Sequence, residues 1–357
     1  MGIGMTKPGF QPSIKNRIGG LDELRGIAIL TVVVGHYFGL RMRAPWLNDV
    51  HFGGAGVDLF LVISGFLIGK ILLASRGKEN YFRTFYVRRI FRILPLYFAV
   101  LAAAASYAAL TGGQGLNSLP FYLTFTQNLI PEGEHLGDIV SASYESIEGL
   151  GPMWSLAVEE HFYLALPLAV FFLKGIRLEI FLVVFAVVGV WADTYVSRTV
   201  SVSWISYSNP FETWFNMQYL AVGVLLNSEH RWRYLGVILA AWLAAILVLD
   251  AQYMALQLVL AILIVLATDG AIRGWFRLQS KVLARVGILV YGIYLLHSPL
   301  RILFRGESQL YGLSSIAWFA VYLALVIIIA EISYRCFEMP IQGMRTRFEK
   351  PAPKSTT

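Results

Sequence analysis

A single cysteine, Cys336, in a chain of 357 residues removes several chemistries at once. It rules out a disulfide within the chain and a thiolate-held metal cluster. It lies far from the other chemistry-bearing residues, so an acyl-cysteine intermediate is not expected. Charge is also scarce. Charged residues make up 14% of the sequence, against about a quarter in soluble domains, which excludes an ordinary water-soluble fold. The segment Thr111–Gly151 has no lysine or arginine at all. No internal repeat, second soluble domain or cleavable signal is evident: residues 1–20 are polar, with Lys7, Lys15 and Arg17, and the first apolar run carries a histidine and continues into the fold.

What is abundant is apolar. Hydrophobic residues make up 57% of the chain and the mean hydropathy is +0.62. These values predict an all-α fold, a polytopic membrane helix bundle. A net charge of +7 would point to nucleic acid in a soluble protein. Here the basic residues sit at helix ends and report topology, so no nucleic-acid partner is expected.

Ten spans are expected, over about 21–40, 55–74, 90–110, 152–173, 177–195, 211–227, 233–249, 251–268, 286–304 and 314–337, each apolar enough to cross or nearly cross ~30 Å of hydrocarbon. Leu119–Ile130 is too short to span and is expected at the outer interface. With the N-terminus in the cytoplasm, five basic residues face out (Arg41, Arg43, Arg198, Arg301 and Arg305) and the other 24 of 29 lie inside or at inner ends. Both termini are then cytoplasmic, and Thr111–Gly151, with Glu132, Glu134, Asp138, Glu145 and Glu148, is the largest external loop. The expected organisation is a cytoplasmic tail (1–20), one membrane domain (21–340) and a basic cytoplasmic tail (341–357).

Within the apolar background a few polar side chains stand out. A histidine inside a membrane helix is costly unless it has a task, and His36 ends the run that begins after Arg25. Eleven helical residues turn through roughly 1100°, about 20° net, so the two share one face roughly 16 Å apart. A cation at one end and an imidazole at the other suit an anionic donor whose reactive end is carried inward.

The stretch Tyr81–Tyr97 places Arg88, Arg89 and Arg92 at helical spacings of three and four, forming one cationic face. Planar guanidinium groups suit bidentate phosphate binding, and coenzyme A is a polyanion of the right kind. An anchor to anionic lipid head groups is the structural alternative. Pro95 adds a kink that favours a built pocket.

Asp58 is placed at a depth similar to His36, across a short loop, and could hold the imidazole in one tautomer; as a structural residue it would cap the second helix. Glu159 and Glu160 lie about two turns inside the fourth span and point about 100° apart, so at most one faces a given cavity. A buried network with tyrosine or arginine is their structural alternative. His51 and His161 read as structural or interfacial. His297 either lines an acceptor cavity or is a satisfied structural histidine. Gly53, Gly54, Gly56, Gly65 and Gly69 permit close helix approach, and Ser64 is a candidate for a backbone bond. An intramembrane serine protease is rejected, because its signature needs glycine where Val62 stands. No metal site is expected.

In order along the chain, LDELRGIAILTVVVGHYF, GGAGVDLFLVISGFLI, FYVRRIFRILPLY, MWSLAVEEHFYLALP, YGIYLLHSP and YRCFEMP together resemble the acyltransferase 3 family over about residues 21–340. The last motif departs from the family's Glu-Lys-Pro and reads Glu338-Met339-Pro340. The resemblance implies about ten helices and transfer of an acyl group, most often acetyl, from cytoplasmic acyl-CoA to a hydroxyl acceptor, often a sugar or glycan at the outer face of a bacterial inner membrane. Acetyl-CoA is then a donor substrate and no resident cofactor is implied. By motif, His36 resembles the catalytic histidine, Arg25 a site arginine, Arg89 and Arg92 the Arg-x-x-Arg pair, and Asp58 and Glu159 the acidic positions. Many relatives carry a soluble esterase-like domain after the membrane part. This sequence ends without one, so the membrane domain would suffice or a partner would help.

On this reading His36 is a general base on the acceptor hydroxyl or a nucleophile that carries the acyl group itself. The competing classes are a proton-coupled transporter or flippase with His36, Asp58 and Glu159 as relay, a lipid- or glycan-binding scaffold without chemistry, and the other large class of membrane O-acyltransferases. Inverted repeats with broken helices would mark a transporter, and none is evident.

Overall fold

In the computed structural model, the described residues are 20–42, 52–113, 115–128, 147–199, 210–251, 254–275, 278–304 and 313–348. His51, Arg43, Arg305 and most of the acidic loop fall outside them, as do the side chains of Arg41 and Arg198. The described residues are mostly helical, with no strand among them. The helices are α1 (Leu21–Met42), α2 (Phe52–Ser75), α3 (Tyr81–Thr111), the short α4 (Leu119–Leu123), α5 (Trp154–Phe172), α6 (Ile176–Thr199), α7 (Pro210–Leu225), α8 (Arg231–Val248), α9 (Ala255–Arg273), α10 (Lys281–Ile288), α11 (Val290–Arg301), α12 (Leu313–Ser333) and α13 (Met339–Met344).

Among the described residues six stretches are long and apolar enough to cross a membrane, and seven if α10 and α11, bent by 74°, count as one. They carry exposed apolar residues such as Leu110, Phe172, Leu247 and Val248, as hydrocarbon-facing helices do. The protein is an integral membrane protein. A π-helical segment, Tyr334–Glu338, joins α12 to α13; such bulges in an α-helix often mark functional positions.

Two glycine crossings set the frame. A Cβ on Gly65 would collide with the backbone of Leu220, and one on Gly223 with the carbonyl of Val62, so α2 and α7 meet backbone to backbone. Likewise a Cβ on Gly26 would collide with Leu283, and one on Gly287 with Asp22, which locks α1 to α10. Ser280 caps α10 by accepting a hydrogen bond from the N–H of Leu283 at 3.2 Å. The first crossing builds a core from α2, α5, α6 and α7. The second builds a core in which Ile29, Val32, Val33 and Tyr37 of α1 pack on α11 and α12. α1 lies between the two cores and contributes to both.

Candidate active site

The α1–α10 crossing fixes Arg25 at one end of a seam that runs to His36. A cavity of about 540 Å³ opens at the arginine end, lined by Arg25, Lys70, Arg92, Tyr291, Glu338 and Gln342 among others. Arg25 is mostly buried, lies 3.7 Å from Asp22, and has an Nε without a partner among the described residues. Arg92 and Arg89 are close enough to act electrostatically on it. Arg89 stacks over the Tyr163 ring at 4.9 Å, so its guanidinium plane is held in place. Three of the four expected arginines therefore converge. Arg88 is exposed and does not line the cavity.

Glu159 belongs to this arginine end. It is buried, takes hydrogen bonds from Ser64 and Tyr163, and faces Arg89 and Arg92. Ser64 thus bonds a carboxylate. Glu160 faces Arg89 as well, and His161 bonds the backbone of Phe125. The residue that sequence reasoning missed here is Glu338. It lines the cavity opposite Arg92 and accepts a hydrogen bond from Ser333 at 3.3 Å.

Further along α1 lies a separate narrow slot of about 20 Å³, lined by Ala28, Ile29 and Val32 and by Tyr291 and Tyr294 of α11. Tyr291 lines both spaces. Its hydroxyl donates to the carbonyl of Ile93 at 2.6 Å. The Tyr294 hydroxyl donates to the Pro152 carbonyl and lies 2.6 Å from the Ser155 hydroxyl. The slot walls are thereby tied to α3 and to the start of α5.

His36 lies at the other end. Its Nδ1 is 2.8 Å from Nε2 of His297, and the two rings lie within 4° of parallel with centroids 5.1 Å apart. Nδ1 of His297 is 2.6 Å from the Tyr294 carbonyl, and the Tyr322 hydroxyl donates to the His297 carbonyl at 2.5 Å. Arg301 donates to the His36 carbonyl at 3.0 Å. His297 is fully buried.

Asp58, expected as the partner of the imidazole, is placed elsewhere. Its carboxyl takes a hydrogen bond from the Tyr219 hydroxyl and lies beside Asp193. The reason is helical phase. Gly56 faces α1, where a Cβ would meet Ala28 and Val32. Asp58 is two residues on, about 200° around the helix, and shares the face of Gly65 seven residues later, which packs on α7. Among the described residues no group of three or more His, Cys, Asp or Glu could hold a metal ion.

A family model described as an acyltransferase domain matches residues 18–335. The chain belongs to the acyltransferase 3 family. Among its curated relatives, O-acetyltransferase OatA of Staphylococcus aureus (strain NCTC 8325) is 24% identical over 370 residues, covering 90% of this chain and 57% of OatA. A Bacillus subtilis (strain 168) protein, named provisionally as peptidoglycan O-acetyltransferase YrhL, is 34% identical over 161 residues, covering 42% of this chain and 23% of its own length. The chain thus spans little more than half of these relatives at most. No solved structure matches it. The histidine and arginines singled out in the sequence fall at the two ends of the α1 seam.

Proposed function

We propose that this protein is a membrane O-acyltransferase that moves an acyl group, acetyl in the first instance, from cytoplasmic acyl-CoA to a hydroxyl of a sugar or glycan acceptor at the outer face of the bacterial inner membrane. The observation that carries this reading is the seam itself: an arginine cavity and a histidine at opposite ends of one helix face, with Tyr291 lining both the cavity and the slot between. Arg25 and Arg92 hold the coenzyme's phosphates, with Arg89 fixed beside them. The pantetheine arm follows Ala28 and Val32 toward His36. The slot has room for about one water, so Tyr291 and Tyr294 shift to admit a thioester arm.

The basic residues at the arginine end support a cytoplasmic placement of that end. Names of relatives make a peptidoglycan hydroxyl the first acceptor to try. A proton-coupled transporter is not favoured, because its relay residues keep separate company: His36 with His297, Asp58 with Tyr219 and Asp193, Glu159 with Ser64 and Tyr163.

Binding and hydrolysis of acetyl-CoA by purified protein test the reading, with wild type set against His36→Ala and the Arg89→Ala/Arg92→Ala pair. Loss of binding in the arginine pair and binding without turnover in His36→Ala are expected. Failure of wild type to engage acetyl-CoA would make the arginines lipid anchors and end this proposal.

A further inference from the structure

We infer that His297 is a positioning residue that fixes the tautomer of His36 and leaves the basic lone pair of His36 on Nε2. The assignment follows from the acceptors and donors in a chain of three groups. A backbone carbonyl only accepts, so Nδ1 of His297, 2.6 Å from the Tyr294 carbonyl, carries a proton and donates it. In neutral His297 the other nitrogen, Nε2, is then bare and can only accept. Its partner at 2.8 Å is Nδ1 of His36, which must therefore be the N–H of that ring. A neutral imidazole has one N–H, so Nε2 of His36 holds the lone pair. A carboxylate usually fills this orienting role; here a second imidazole does, and it is neutral.

The surroundings hold the pair in this register. His297 is fully buried, its carbonyl accepts from Tyr322, and Tyr322 stacks on Tyr37, the residue after His36 in α1. The rings lie within 4° of parallel, so the shared hydrogen bond runs in the ring planes. Arg301 fixes the backbone of His36 from α11. Each of these contacts constrains the orientation of the pair.

This inference rests on the acyl-transfer reading for its chemistry. The acceptor oxygen forms its bond to the acyl carbon as the hydroxyl proton passes to Nε2 of His36. The carbon–sulfur bond then breaks, and Nε2 returns the proton to the leaving thiolate. Nδ1 keeps its proton throughout and donates to His297, which stabilises the transient imidazolium.

The test is ¹⁵N-histidine NMR of the full chain in lipid nanodiscs at neutral to mildly alkaline pH, beside acetyl-CoA hydrolysis. Six histidines give a small set of signals, and loss of one in His36→Gln assigns His36. In wild type the protonated nitrogen of His36 is expected to be Nδ1. His297→Gln, whose Oε1 can accept where Nε2 stood, is expected to keep that tautomer and stay within a few-fold of wild-type kcat. His297→Leu, similar in size but without an acceptor, is expected to shift His36 toward the Nε2–H form. Its kcat should fall by at least about 10-fold with KM for the donor unchanged, the result of a misdirected tautomer. A wild-type His36 protonated on Nε2 overturns the inference, as does a His297→Leu variant with unaltered tautomer and kcat. Should His297→Leu fail to fold, the wild-type spectrum and His297→Gln decide. If the spectra behave as expected but no variant nor wild type turns over acetyl-CoA, the positioning role stands and the acyl-transfer reading falls.

Discussion

The two ends of the α1 seam are built on opposite principles. At the arginine end, the contacts around Arg25 are loose. Arg25 reaches Asp22 only at 3.7 Å and leaves Nε unbonded among the described residues, and the cavity beside it measures about 540 Å³. At the histidine end the polar contacts are short: 2.8 Å between imidazoles, 2.6 Å to the Tyr294 carbonyl, 2.5 Å from Tyr322. A buried, under-bonded guanidinium is costly, and the cost is recovered when a polyanion binds. An imidazole held through Nδ1 by a fixed partner adapts little, and it needs little reorganisation when charge develops on it. One end is loosely bonded and the other closely bonded, and on the proposed function this would separate binding from chemistry on one helix.

The sharpest way to break that comparison is His36→Ala. Turnover is expected to drop by on the order of 10²–10⁴ if the imidazole is a general base, and further if it is a nucleophile. Acetyl-CoA affinity, measured by calorimetry on the same preparation, should stay near wild type. A variant that loses binding and turnover together would show that the two ends are not separable.

The complementary change is Arg25→Ala or Arg92→Ala. Loss of one charge-assisted hydrogen bond costs about 1.5–3 kcal/mol, so donor Kd should rise roughly 10- to 150-fold. At saturating donor, kcat should change little. A fall in kcat with unchanged Kd would move these arginines from binding into the reaction.

Much of this arrangement was legible in the sequence. The apolar runs mark where the helices lie, and the helical period alone places Arg25 and His36 on one face. The Arg89/Arg92 spacing marks the cationic face, and the structure brings both toward Arg25. What was not legible depends on long-range pairing. His297 lies 261 residues from His36, and nothing local distinguishes it from a structural histidine. Glu338 enters the cavity on a π-helical turn, which shifts side-chain phase away from the α-helical period. Asp58 differs, because a signal was present and went unread. Loop proximity suggested the right depth, while Gly65, seven residues on, already marked the helix face that turns toward α7.

A third change probes the scaffold. Gly65→Val inserts a side chain where even a Cβ collides with the Leu220 backbone. Overpacking of this kind costs about 1–3 kcal/mol, visible as a lower thermal midpoint in detergent. Gly236→Ala, where a Cβ meets nothing within 4 Å, is the control expected to leave the midpoint unchanged or slightly higher. For folded Gly65→Val, any functional change is expected in donor affinity before kcat, because the neighbouring Ser64 bonds Glu159 at the arginine end.

The smallest expected effect is the most discriminating. If Asp58 held the imidazole, Asp58→Asn would misdirect the tautomer and lower kcat by orders of magnitude, as such a change does in a Ser-His-Asp triad. The structure gives the carboxyl a different task. It accepts from the Tyr219 hydroxyl beside a second carboxyl, Asp193. Asparagine keeps an acceptor for Tyr219 and removes one of two neighbouring acids, so the packing of α2 against α7 survives with one fewer charge to bury. Asp58→Asn is therefore expected to fold as well as wild type and to stay within a few-fold of its kcat. A loss of about 10²-fold or more with an unaltered melting point would return Asp58 to the chemistry, and would mean that the imidazole pair leaves His36 needing an acid to complete it.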